Sequence, residues 1–114
     1  MPAEYIVLED KTIKLKSGQE WSRDPELPTT AARKQQAILW FMVGADDPDD
    51  LKWHVEIDGT TFLDLKTNSS VQRGWHEIVD LQLPPNVITV TFKVDGGDGT
   101  LKVSDVVLFF QNTV

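Results

Sequence analysis

The chain contains no cysteine. It therefore has no disulfide, thiolate nucleophile or cysteine-bound metal, and packing alone must carry its fold. That composition fits a reducing compartment. No apolar run approaches the roughly 20 residues that a membrane-spanning helix requires. No basic segment followed by an apolar one opens the chain; Met1-Pro2-Ala3-Glu4-Tyr5 leads straight into a strand-like run. No secretory signal is read there, so the expectation is a cytoplasmic protein or one exported without such a signal; a signal already cleaved leaves the same appearance. Basic residues are few and scattered, eleven against eighteen acidic ones, for a net charge of −7. Such a surface repels phosphate backbones and anionic lipid, which speaks against nucleic acid and membrane as partners. Also missing are a Gly-x-Ser-x-Gly elbow and a phosphate-binding glycine loop ahead of a helix. The expectation is a protein without catalytic activity.

What is present is alternation. In the last third, Leu83-Pro84-Pro85-Asn86 is followed by Val87 to Val94, then Asp95-Gly96-Gly97-Asp98-Gly99, then the apolar run Leu101 to Phe110. This is a strand, a glycine turn and a second strand. Ile88, Val90, Phe92 and Val94 point one way, and Thr89, Thr91 and Lys93 the other. The final run has no clean face unless one residue bulges near Ser104-Asp105, which turns Leu101 and Val103, then Val106, Leu108 and Phe110, to the same side.

Upstream, Tyr5 to Leu8 and Thr12 to Lys16 read as strands, the second with a lysine-bearing outer face suited to a sheet edge. Residues 19–35 hold two prolines and no period, and read as a long loop, with a helical turn conceivable at 31–36. Loops of that length in a small domain are often functional, the alternative being a plain crossover. Ala37 to Val43 is apolar on both faces and reads as a central strand covered on both sides, with Trp40 in the core. Lys52 to Asp58 alternates, with Trp53, Val55 and Ile57 inward; Asp58-Gly59 is a hairpin turn returning through Thr60 to Leu65. Lys66 to Gly74 is a polar loop, and Trp75 to Leu81 the next strand. The sum is an all-β chain: one antiparallel two-sheet jelly-roll sandwich of about eight strands spanning 1–114.

From Trp53 onward the chain resembles the galactose-binding-like jelly rolls, a superfamily with many carbohydrate-binding modules. Three pieces carry the resemblance: Ile57-Asp58-Gly59-Thr60-Thr61-Phe62; Trp75-His76-Glu77-Ile78-Val79-Asp80-Leu81 with Leu83-Pro84-Pro85-Asn86-Val87-Ile88-Thr89-Val90; and Val103-Ser104-Asp105-Val106-Val107-Leu108. Pro85 stands where such modules usually have glycine. The resemblance implies sugar or protein recognition without catalysis, sometimes with a structural calcium.

A sugar site needs flat aromatic faces for the apolar side of a pyranose and amide, carboxylate or imidazole groups for its hydroxyls. Trp21 lies in the long loop outside any apolar pattern, and Trp75 begins a strand after a polar loop. With His76, Arg73 and Asn68 they form the expected carbohydrate site at one end of the sandwich. For Trp21 the plainer reading is a plug over the core; for Trp75, a core side chain. His54, Glu56 and Asp58 share one strand face, and His76 from a neighbouring strand would complete a metal site there; a solvated polar face is the plainer reading. Asp46, Asp47, Asp49 and Asp50 offer calcium several oxygens, although without the spacing of an EF-hand, and a solvated acidic loop explains them as well. The other function weighed is structural: a virion or appendage component that forms a homo-oligomer through its sandwich faces and edges.

Overall fold

The computed structural model describes residues 3–46, 51–66 and 73–113, with the backbone alone for Asp46, Leu65, Lys66, Arg73 and Gly74. Nine strands follow in order: β1 (Ala3–Glu9), β2 (Ile13–Leu15), β3 (Glu20–Arg23), β4 (Gln36–Asp46), β5 (Lys52–Ile57), β6 (Thr60–Lys66), β7 (Arg73–Gln82), β8 (Val90–Gly96) and β9 (Thr100–Gln111). Among the described residues there is no helix. One sheet runs β1-β9-β4-β7 with β2 beside β9 below β1; the other runs β3-β8-β5-β6.

The antiparallel pairs β2–β9, β3–β8, β4–β7 and β5–β6 are nested around one tight turn, Asp58-Gly59. Both turn residues have positive φ, 51° and 81°, which the Asp-Gly pair tolerates. Rolling this long folded hairpin brings β4 against β9 and β5 against β8, and closes the two sheets. That nesting is the jelly roll, with its first strand split into β1 and β2, so nine strands stand where about eight were expected.

Hydrophobic alternation fills the space between the sheets. Leu39, Phe41 and Val43 of β4, Trp53, Val55 and Ile57 of β5, Val90, Phe92 and Val94 of β8, and Leu101 and Val103 of β9 are all buried. Phe41 meets Phe92 edge to face at 4.8 Å and Trp53 at 6.3 Å, joining the two sheets through aromatic contacts. The expected bulge in β9 is present: Asp105 has φ 53°, and the pairing with β4 slips between Trp40 and Met42. Beyond it Val106, Leu108 and Phe110 are buried.

Three expectations need correction. Residues 19–35 are not all loop, since Glu20–Arg23 pairs with β8 as an edge strand. No helical turn forms near 31–36; Ala31 instead bridges Asn112, and Lys34 takes φ 62°. The strand expected from Val87 begins at Val90, because the Asp58 turn uses the backbone of Thr89: Asp58 N–H donates to its carbonyl (2.9 Å), and Thr89 N–H donates to Asp58 Oδ1 (2.8 Å).

Candidate functional site

The described members of the expected loop-end constellation, Trp21, Trp75 and His76, do not come together. Trp21 is only 8 % exposed and packs on Phe92, ring centroids 5.5 Å apart, with the Arg23 guanidinium 5.0 Å from its ring. It plugs the core, as its plainer reading held. His76 points inward from β7, stacked on Phe41 at 5.6 Å and edge-on to Trp53 at 5.7 Å, and burial pushes its pKa down. The reason is strand parity: in β7 Trp75, Glu77 and Val79 face out, so His76 and Ile78 face in. Trp75, 47 % exposed, is the one described member of that group on the surface. Arg73 belongs to β7 with its backbone alone described, and Asn68 lies outside the described residues. The acidic run is in the same position: Asp46 ends β4, and Asp47, Asp49 and Asp50 lie outside the described residues.

The metal reading of the His54 face also fails in its geometry. His54 and His76 sit on different sheets, one on an outer face and one in the core. His54 Nδ1 lies 2.6 Å from Asp95 Oδ2, and Nε2 lies 3.2 Å from Glu56 Oε2. Each ring nitrogen faces a carboxylate, an arrangement that favours the protonated ring. The Asp95 hydrogen bond raises its pKa most, burial opposes this, and Glu56 adds to the rise. Among the described residues no group of three or more His, Asp or Glu side chains is arranged to hold a metal.

The two outer faces differ. On the β3-β8-β5-β6 sheet the outward positions are polar: Ser22, Thr91, Lys93, His54 and Glu56. On the other sheet most are apolar or aromatic: Tyr5 and Val7 on β1, Val107 and Phe109 on β9, Ile38, Trp40 and Met42 on β4, Trp75 and Val79 on β7, with Glu77 on β7, Ser104 and Lys102 on β9 and Lys14 on β2 as polar members. Trp40, expected in the core, is only half-buried, since among the described residues no layer covers β4 on this side. Four rings cross the sheet in a diagonal ladder. Tyr5 and Phe109 are 6.1 Å apart, Phe109 and Trp40 6.0 Å, and Trp40 and Trp75 4.6 Å.

Two shallow depressions open on this face. One, of about 250 Å³, has Trp40, Phe109 and Ile38 as its floor and Glu77 at its side. Glu77 is the direct cross-strand partner of Trp40. The other, of about 180 Å³, shares Ile38 and Phe109 and adds Gln36 and Gln111. Together they make a groove with an aromatic floor and a rim of two amides and one carboxylate. A third depression, at the end of the sandwich, collects Asp24, Glu26, Arg33 and Val87 and has no aromatic floor.

Sequence reasoning missed Tyr5, Trp40, Phe109, Glu77, Gln36 and Gln111. For Trp40 the signal is the apolar character of both parities in Ala37 to Val43, which reads as burial on both faces; the polar members Glu77, Gln36 and Gln111 carry no such signal. No protein-family model matches the chain, and no curated protein matches it.

Proposed function

We propose that this protein is a non-catalytic carbohydrate-recognition module of jelly-roll type whose ligand lies on the outer face of the five-stranded sheet. The observation that carries the reading is the groove in which Trp40 and Phe109 form the floor beside Glu77, Gln36 and Gln111. An indole or phenyl face accepts the C–H side of a pyranose, and amides and carboxylates bond its hydroxyls. Glycosidase chemistry uses two placed carboxyl groups, whereas among the described residues Glu77 is the single carboxylate lining the groove; the reading is therefore binding without bond cleavage. The resemblance of residues 53 onward to galactose-binding-like jelly rolls points the same way.

A glycan array followed by calorimetry tests this. Binding at millimolar concentration or better is expected, lost in Trp40→Ala and retained in Glu20→Ala on the opposite sheet. If no glycan binds at millimolar concentration, or if Trp40→Ala binds as tightly as the parent chain, the reading falls.

A second reading, self-association, is favoured by the aliphatic residues on the same face. Val7 and Val79 are about half exposed, and they offer a sugar no stacking surface. Contiguous apolar area of this kind also marks protein interfaces. Sedimentation separates the two. A homo-oligomer dissociated by Val79→Asp supports assembly; a monomer at high concentration removes it.

A further inference from the structure

We propose, resting on the carbohydrate reading, that the sugar taken by this groove is an amino sugar, a hexosamine with a free ammonium group, in preference to an uncharged or acidic ring. The argument is one of charge placed on an aromatic floor. Among the described residues Glu77 is the one charged side chain lining either depression, and it stands directly across from Trp40. Directly paired positions bring their β-carbons to about 5 Å. A carboxylate beside an indole face is the arrangement that holds an ammonium, through an ion pair on one side and a cation–π contact on the other.

The surroundings act in the same sense. No lysine or arginine lines the groove among the described residues, and Lys102 stands across from Gly44, away from both depressions. A uronate or a sulfated ring would meet Glu77 with no cation among the described groove residues to offset it. The chain's net charge of −7 raises the local concentration of cationic ligands and lowers that of anionic ones. Gln36 and Gln111 remain for the ring hydroxyls; the Gln36 amide N–H donates to the Val79 carbonyl at 2.9 Å, which fixes that side chain along the rim.

The test compares short oligomers of one length and linkage: β-linked glucosamine, its N-acetylated counterpart, the glucose equivalent and a galacturonate oligomer, titrated by calorimetry and NMR. The glucosamine oligomer is expected to bind roughly tenfold more tightly than the uncharged ones, the combined size of an exposed cation–π contact and a surface ion pair. Glu77→Gln should bring the glucosamine oligomer down toward the affinity of the uncharged ones. Asp80→Asn is the control: Asp80 is exposed on the same strand outside the groove, and its loss lowers the overall charge equally. Equal binding of all uncharged and amino oligomers, or a preference that survives Glu77→Gln or falls equally in Asp80→Asn, overturns the amino-sugar assignment and leaves the carbohydrate reading standing. Binding of none of the oligomers overturns the amino-sugar assignment, and the carbohydrate reading falls with it only if the glycan array is blank as well.

Discussion

His54 is clasped between two carboxylates and His76 is wedged between two aromatic rings, so the two answer acid in opposite senses. The pKa of His54 is raised above 6.5, first by its hydrogen bond to Asp95. Its contribution to stability is complete below the unfolded value and is lost as pH rises through the folded one. The pKa of His76 is lowered from 6.5 by burial. Its unfolded form takes up the proton first, so its contribution is present above 6.5 and is lost as pH falls toward the folded value. Urea unfolding followed from about pH 5 to 8 should show His54→Gln losing least, relative to the parent chain, at the alkaline end. His76→Phe should flatten the acid-side decline. Parallel curves for the parent and both variants would contradict these assignments. Buried and exposed aromatic residues separate as well. Phe92, fully buried against Phe41 and Trp21, should cost about 3–5 kcal/mol on truncation to alanine. Trp75→Ala should cost only about 1 kcal/mol, the worth of one aromatic pair, and chemical denaturation measures both.

At the scale of elements, β9 depends on its bulge. Asp105 sits in the left-handed region at φ 53° and is exposed. Aspartate tolerates that conformation and a β-branched residue does not. Asp105→Val should therefore lose about 1–2 kcal/mol, and Asp105→Gly should stay within about 1 kcal/mol of the parent chain, read from denaturation midpoints. The bulge was legible because neither parity of Leu101 to Phe110 is clean without it. The edge strand β3 was not: in Glu-Trp-Ser-Arg a single apolar residue alternates with polar ones, too little for a period to register. Trp21 therefore looked like a loop residue. His76 was legible in principle, since fixing Trp75 outward forces its neighbour inward.

Across the whole molecule, the nesting of strands sets both folding and binding. The pairs β2–β9 and β3–β8 join residues far apart in sequence, and loop closure must precede their reward. Refolding is expected on the millisecond-to-second scale of topologies rich in distant pairings, and stopped-flow fluorescence of the buried Trp53 and Trp21 reads it. A microsecond folding phase carrying the full amplitude would contradict that view. The same roll leaves one sheet with a polar outer face and the other with an aromatic one, and this asymmetry places the proposed groove.

The sequence by itself determined the all-β class, the inward set of β5, β8 and β9, the Asp58-Gly59 turn and the bulge at Asp105, because each follows from side-chain parity and local backbone chemistry. Only the tertiary structure decided that no described element covers Ile38, Trp40 and Met42, that Tyr5, Phe109, Trp40 and Trp75 form one ladder, and that Glu77 stands beside Trp40. Those facts depend on which strands become neighbours and on what lies above them. Parity along one strand says which side a residue faces, and it carries no information about whether that side meets protein or water.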